Sequence, residues 1–311
     1  MIKICRDYKY VKKFINRSTV AIGNFDGIHF GHKKVIQKSK EIAKESKNSL
    51  VILTFFPHPL KVIRPGSEPE TILSLRTKIE ILDLMGVDIL LAQNFTKAFS
   101  KISARKFVLD ILLHALNAKD IVIGDDFRFG HNREGDIKYL NSKDFIKKFK
   151  VHVIAEEEGK NGRYSSTSIR EMIKNGEMSK VKEELGYFYL IEGRVIKGAQ
   201  LGRQMGFPTA NINYKGNVIP KDGIYAAWVY YDNKYYMAAV STGVRPHFKG
   251  INRFLEAYLI DFSGDLYGKR IKVSLVEHIR EEMVFSDVKD LKKEMSKDCD
   301  KAENILIKNK I

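Results

Sequence analysis

His29 and His32 stand three residues apart in AIGNFDGIHFGHKKVI, residues 21–36, among Gly23, Gly27 and Gly31 and beside one acid, Asp26. An imidazole can donate a hydrogen bond, exchange a proton or ligate a metal. The flanks narrow the choice. Upstream, STVAI is apolar and β-branched and reads as a buried strand; downstream, HKKVIQKSKEIAKES puts Val35, Ile36, Lys40 and Ile42/Ala43 on one helical face. A strand-to-helix loop ends at unpaired backbone N–H groups and at the positive end of a helix dipole, and glycine lets a ligand approach the backbone. Such a loop suits an anion, most simply a nucleotide phosphate, framed by Gly23, Phe25, Asp26 and Gly31.

Nucleotidyl transfer fits this arrangement. An incoming phosphate attacks the α-phosphorus in line and pyrophosphate leaves, so the protein positions groups and stabilises charge, which two imidazoles can do. Zinc ligation, with no third ligand evident, and a purely structural pair are the alternatives. A second segment, RYSSTSIREMI (residues 163–173), lets Ser166 or Thr167 cap a helix whose N-terminus meets another phosphate, with Arg163 and Arg170 able to grip pyrophosphate oxygens bidentately. An ordinary capped surface helix would look the same.

The second half holds a different set. In GRVIKGAQLGRQMGFPTANI, residues 193–212, Gly198, Gly202 and Gly206 allow a backbone flap over phosphates with Arg203 beside it, unless they only turn a barrel corner. Thr209 and Asn211 alternate onto one side of an extended strand, and a hydroxyl with an amide oxygen suits Mg²⁺ next to ATP. Glu256, in FLEAYLIDF, is a candidate base for a substrate hydroxyl if it faces the interior of that half, and means little if it faces solvent.

Strand and helix signals must position these groups. TVAIG, LVILTFF, DILLAQ, DIVIG and VHVIAE alternate with helical stretches such as SLRTKIEILDLMG and SARKFVLDILLHAL, the pattern of a doubly wound α/β domain with a parallel sheet. Sites in such sheets lie at the carboxyl ends of strands, where GNFDGIHFGH, FPHP (56–59) and GDDFRFG (124–130) fall. After about residue 184 short β-like runs follow one another between turns such as YDNK and SGD, which predicts an antiparallel β domain. The boundary is expected near EELGYF, dividing the chain into 1–184 and 185–311. A final amphipathic helix, with Val288, Leu291, Met295 and Ile305 on one face, is expected to pack on that domain rather than on a membrane.

Composition sets the outer limits. A chain of 311 residues with 44% hydrophobic residues can bury one large core or two ordinary ones. Cys5 and Cys299 form no CxxC pair, and neither a secretory h-region nor a membrane span is legible, so a soluble cytoplasmic protein is expected. The net charge of +16 favours anionic substrates, but the lysines are scattered without a basic stripe, so nucleic acid is not the expected partner.

GNFDGIHFGH, TFFPHP, GDDFRFG and RYSSTSIR, in this order and spacing, resemble the adenylyltransferase module of bacterial bifunctional riboflavin kinase/FAD synthetases. DGIYAA, STGVRPHFKG, EAYLIDFSGDLYGKRIKV and IREEMVF resemble the kinase module of the same family, so that the likeness spans nearly the whole chain. It implies a Rossmann-like nucleotidyltransferase domain followed by an antiparallel β-barrel, with riboflavin, FMN and ATP as substrates and Mg²⁺ as cofactor. By that likeness His29 and His32 bind ATP phosphates and stabilise the transition state. Ser166, Thr167 and Arg170 hold the leaving pyrophosphate, and Arg163 adds a phosphate contact. Asp126, Phe127 and Phe129 line the flavin pocket, with Phe55 and His58 as further candidates that a rigid PHP turn explains nearly as well. In the kinase module Thr209 and Asn211 meet Mg²⁺–ATP and Glu256 activates the ribityl 5′-hydroxyl. The chain departs from the family pattern at Leu201, where arginine is usual, at STGVRPHF and at Tyr258. Two readings of other classes stand beside this one: a nucleotidyltransferase with another acceptor, as in cytidylyltransferases, and a non-catalytic flavin- or RNA-binding regulator.

Overall fold

The apolar runs of the first half become one parallel sheet. In the computed structural model, which describes residues 1–155, 158–159, 162–198, 206–214, 216–247 and 250–311, with backbone alone for 158–159, 163, 245–247 and 250–252, the chain forms two compact units. Residues Met1–Pro69 and Leu75–Ser165 make the first; Glu70–Ser74 and Ser166–Ile311 make the second.

In the first unit the elements run β1 (Lys3–Cys5), β2 (Ser18–Ile22), α1 (Phe30–Glu45), β3 (Ser49–Phe56), α2 (Pro59–Ile63), α3 (Leu75–Leu84) and β4 (Ile89–Asn94). There follow α4 (Ala104–Lys106), continued as a π-helix over Phe107–Ala115, then β5 (Ala118–Gly124), α5 (Ile137–Leu140), β6 (Lys150–Ile154) and the small hairpin β7 (Glu158–Gly159) and β8 (Gly162–Arg163). The main sheet has the order β1-β4-β3-β2-β5-β6. Every residue of β2 is buried, as a parallel strand covered on both faces requires. The chain leaves β2 for β3 on one side and reaches β5 on the other, so the strand order reverses beside β2, where an open α/β sheet offers its ligand crevice. The short edge strand β1 was not legible: KIC carries too little pattern.

Helix α1 buries Ile36, Ser39, Ile42 and Ala43. Lys40, expected on the apolar face, instead reaches out to the carbonyl of Met85 (2.8 Å), and Ser39 fills the stripe by donating to Val35 O (2.6 Å).

The second unit contains α6 (Ser166–Lys174), α7 (Met178–Leu185), β9 (Tyr189–Ile196), β10 (Ala210–Asn213), β11 (Gly223–Tyr231), β12 (Lys234–His247), β13 (Gly250–Leu259), β14 (Arg270–Arg280) and α8 (Val288–Lys308). Its six strands close into an antiparallel barrel, β10-β13-β12-β11-β14-β9. Glu70–Ser74 is stitched into this unit: Thr71 N donates to Gly216 O (2.7 Å), Val218 N to Thr71 O (3.0 Å) and Ser74 Oγ to Glu192 (3.2 Å). Helix α8 packs through Ala302, Ile305 and Leu306 against Ala226, Val276 and Trp228. Its expected apolar stripe begins too early, since Val288 is exposed; the helix is anchored further along by Asp298, which receives Arg280 Nε (2.9 Å) and Nη2 (2.6 Å) as a fork.

Candidate active sites

The loop between β2 and α1 is held in an unusual shape. Phe25 (φ +48°), Gly27 (φ +84°) and Ile28 (φ +40°) all take left-handed backbone. For a β-branched residue this is an outlier, and each non-glycine instance costs on the order of 1–3 kcal/mol. Burial offsets it: Phe25 is 2% and Ile28 0% exposed. The carbonyl of Asn24 accepts from Thr54 Oγ1 (3.1 Å) and from Lys78 Nζ (2.7 Å), which ties the loop to β3 and α3.

His29 closes this loop as the N-cap of α1, its Nδ1 accepting the backbone N–H of His32 at 3.4 Å. A neutral ring that accepts at Nδ1 carries its proton on Nε2, so His29 presents an N–H donor on its other edge. The two rings stack at 3.7 Å with 22° between planes, and Phe25 meets His32 edge-on at 5.3 Å. Burial pushes His29 from its ordinary 6.5 down to about 4, with Asp26 pulling the other way. His32 is held well below its ordinary value by burial, then by His29 and Lys78. Both imidazoles are therefore neutral near pH 7. Nδ1 of His32 is sealed from solvent without a partner among the described residues. Gly31 is closely packed: a Cβ there would sit 3.3 Å from the His29 ring, which would have to give slightly, and in ordinary contact, 3.5 Å, with Cβ of Tyr164. Among the described residues no three His, Cys, Asp or Glu gather as a metal site would need, so the zinc reading still lacks its third ligand.

The other loops at the carboxyl edge of the sheet divide by burial. Phe129 is only 6% exposed and packs against Phe107 (5.2 Å), Phe127 (5.5 Å) and Tyr139 (6.0 Å); its ring belongs to the core. Phe127 is half-buried and Asp126 exposed, so these two can face a ligand. Phe55 lies in a cluster with Phe95 (5.7 Å) and Phe99 (6.0 Å). His58 caps α2 by accepting from Leu60 N (3.3 Å), and its Nε2 lies 3.3 Å from the Asn24 amide, beside the histidine loop.

Helix α6 starts at Ser166, so Ser166 and Thr167 are in its first turn rather than before it, and the capping position moves one residue upstream. Arg170 Nε donates to Glu70 O (2.7 Å) within the second unit. The Arg163 side chain and the flap residues Gly202 and Arg203, with Leu201, lie outside the described residues.

In the barrel, register assembles the second constellation. Glu256 on β13 lies opposite Asn211 on β10 and opposite Ser241 on β12, so three polar side chains form a row across adjacent strands. Thr209 Oγ1 donates to Glu256 Oε2 (3.1 Å), which leaves the lone pairs of that hydroxyl oxygen available to a cation. Leu255, Ala257 and Leu259 form the buried face of β13, whereas Glu256 and Tyr258 are half-buried on the other. Glu256 therefore faces neither the sealed core nor open water. Gly198 rests directly on the Asn211 amide, with no room for a Cβ, and Tyr258 packs edge-on against Phe207 (5.1 Å). Gly206 takes φ +86°, open to glycine at no steric cost.

Sequence reasoning overlooked Lys78, Thr54 and Asn24. The signal for Lys78 was present: it shares the helical stripe of Ile81 and Leu82, an apolar face where an unpaired lysine is out of place. Asn24 acts through its backbone carbonyl, which leaves no trace in residue type, and Thr54 through a hydroxyl that only the fold brings to that carbonyl.

Comparison with known proteins adds independent evidence. Residues 11–168 match the family model described as FAD synthetase, and residues 185–306 the one described as riboflavin kinase. Over 96% of both chains the protein is 37% identical to the bifunctional riboflavin kinase/FMN adenylyltransferase of Buchnera aphidicola subsp. Acyrthosiphon pisum. It is 34% identical to that of Escherichia coli K12 over 90% of both chains. A solved structure titled as a macrolide-efflux protein from Streptococcus pneumoniae superposes with a TM-score of 0.86 at 28% identity, covering 98% of this chain and 99% of that one. Among the described residues of this chain no helix is long and apolar enough to cross a membrane.

Proposed function

The chain belongs to the bifunctional riboflavin kinase/FMN adenylyltransferase family, and on that premise we propose how its residues divide the work. The enzyme phosphorylates riboflavin with ATP to give FMN and ADP, then adenylylates FMN with a second ATP to give FAD and pyrophosphate. The observation that carries this reading is that each half matches its own activity. An alternative acceptor or a non-catalytic binder would leave one half without use. We assign adenylylation to residues 1–184 and phosphorylation to 185–311.

For the kinase step, Glu256 accepts the proton of the ribityl 5′-hydroxyl as its oxygen attacks the γ-phosphate. Thr209, donating to Glu256, fixes the carboxylate and keeps it from rotating away. Thr209 and Asn211 would hold Mg²⁺, which screens phosphate charge when bound; an all-oxygen set with few protein ligands fits that ion. The glycine-rich segment that holds Gly198, Gly202, Arg203 and Gly206 is assigned to the ATP phosphates, as the family resemblance implies.

In the adenylylation step, the FMN phosphate attacks the α-phosphorus of ATP. His29 offers Nε2–H to the oxygens that gain charge there, and His32 supports it from beneath by stacking. Gly23, Phe25, Asp26 and Gly31 shape the loop so that the α1 N-terminus faces the phosphates. Ser166, Thr167 and Arg170, with Arg163, receive the leaving pyrophosphate. Phe127 and Asp126 meet the isoalloxazine, with Phe129 supporting Phe127 from the core and Phe55 and His58 bordering the same edge of the sheet. The free thiols Cys5 and Cys299 suit a reducing cytoplasm, where ATP is supplied.

Incubating the protein with riboflavin, ATP and Mg²⁺ and separating the flavins over time tests this. FMN followed by FAD is expected. Absence of FMN would overturn the kinase assignment, and failure to convert supplied FMN into FAD would overturn the other.

A further inference from the structure

The adenylylation loop ends in two neutral histidines, yet its ligand is a triphosphate carrying several negative charges. A fixed cation close to that loop is Lys78. Its Nζ reaches the Asn24 carbonyl at 2.7 Å, two residues before Asp26, and its charge acts on both Asp26 and His32. The side chain rises from the stripe of α3 that also carries the fully buried Leu82, and it is itself partly buried where it meets the Asn24 carbonyl.

We propose that Lys78 is a positioning residue for adenylyl transfer: it clamps the strained 23–29 loop through Asn24 and places an ammonium beside the loop that carries the histidine pair. Two observations converge on it. Phe25 and Ile28 hold left-handed backbone, which persists only where surrounding contacts over-determine it, and the Asn24 carbonyl next to them is one such contact. Burial first, then His29 and this ammonium, disfavour a charge on His32, so the stacked pair avoids two adjacent positive charges. Thr54 holds the same carbonyl without any charge, which separates anchoring from electrostatics.

The inference rests on the adenylyltransferase reading, and FAD formation by the wild-type chain tests that reading separately. Lys78→Gln keeps a donor for Asn24 and loses the charge; Lys78→Met loses both; Lys78→Arg keeps the charge; Thr54→Val removes the neutral bond. With FMN and Mg²⁺–ATP, Lys78→Gln and Lys78→Met are expected to lower kcat/KM for ATP by about 10- to 100-fold, the usual worth of a hydrogen-bonded charge. Lys78→Arg should recover part of that loss, and Thr54→Val should lose less than about threefold. KM for FMN and the riboflavin kinase activity of the same chains should stay within about twofold of wild type. Wild-type adenylylation in Lys78→Gln would overturn the proposal. Equal losses in Thr54→Val and Lys78→Gln would overturn the role of charge. Parallel loss of both activities in all three Lys78 variants would point to packing and also overturn it.

Discussion

On the proposed assignment, the two sites handle phosphate by opposite means. In the first unit a strained loop buries two histidines, whose charged forms burial disfavours, at the N-terminus of α1. In the barrel, extended strands with ordinary backbone place Asn211, Glu256 and Ser241 in a row by register alone, and the carboxylate stays half-buried. The difference follows the chemistry. Adenylylation needs donors aimed at an α-phosphorus and no proton acceptor in the first instance, so desolvated imidazoles serve. Phosphorylation of a hydroxyl needs a proton acceptor, and on this assignment a half-buried carboxylate serves.

The largest effect that would sharpen this contrast is in the barrel. Glu256→Gln should lower riboflavin kinase kcat by about 10³-fold while FAD formation from supplied FMN is retained. Residual kinase activity near wild type would remove the base from the mechanism. In the other unit, His29→Ala removes one aimed donor and should lower adenylylation by about 10²- to 10³-fold without altering FMN formation from riboflavin. Equal damage to both activities would break the claim that the sites are separate. A smaller effect distinguishes the units by pH. His29 is depressed from 6.5 to about 4 on folding, so the unfolded chain binds the proton more readily and stability falls as pH drops through that window. The loss amounts to about 3 kcal/mol at its lower end. Thermal unfolding followed between pH 7 and about 4 should show this slope in the wild type and a shallower one in His29→Ala, where His32 still acts in the same direction. Identical slopes would mean that His29 is not buried neutral.

Much of this was legible beforehand because period and spacing are local. Alternating apolar runs and helical stripes located β2 to β6 and α1, the HFGH segment marked its strand-to-helix loop, and PTAN marked the start of β10. What eluded the sequence was what a side chain does once another element arrives. Phe127 and Phe129 look alike in GDDFRFG, yet the bridge between Phe129 and Gly135 turns Phe129 into the core and leaves Phe127 half-buried. Lys40 was expected on a helical apolar stripe and Lys78 shares one, and only the neighbouring loops decide that one caps a surface turn and the other reaches the histidine loop. The antiparallel character of the second half could be read from its turns; closure into a barrel could not, because the β9–β14 and β10–β13 pairings join distant segments.

By itself the sequence determined which chemical groups this protein has and which short stretches carry them: imidazoles at a strand-to-helix loop, oxygen donors two apart on a strand, a carboxylate in an apolar run. Tertiary structure decided their states and partners. Burial, not residue type, makes His29 neutral, and strand register, not sequence distance, brings Glu256 opposite Asn211 and within 3.1 Å of Thr209. Desolvation and register depend on what packs against a residue from elsewhere in the chain, and that information appears only when the chain has folded.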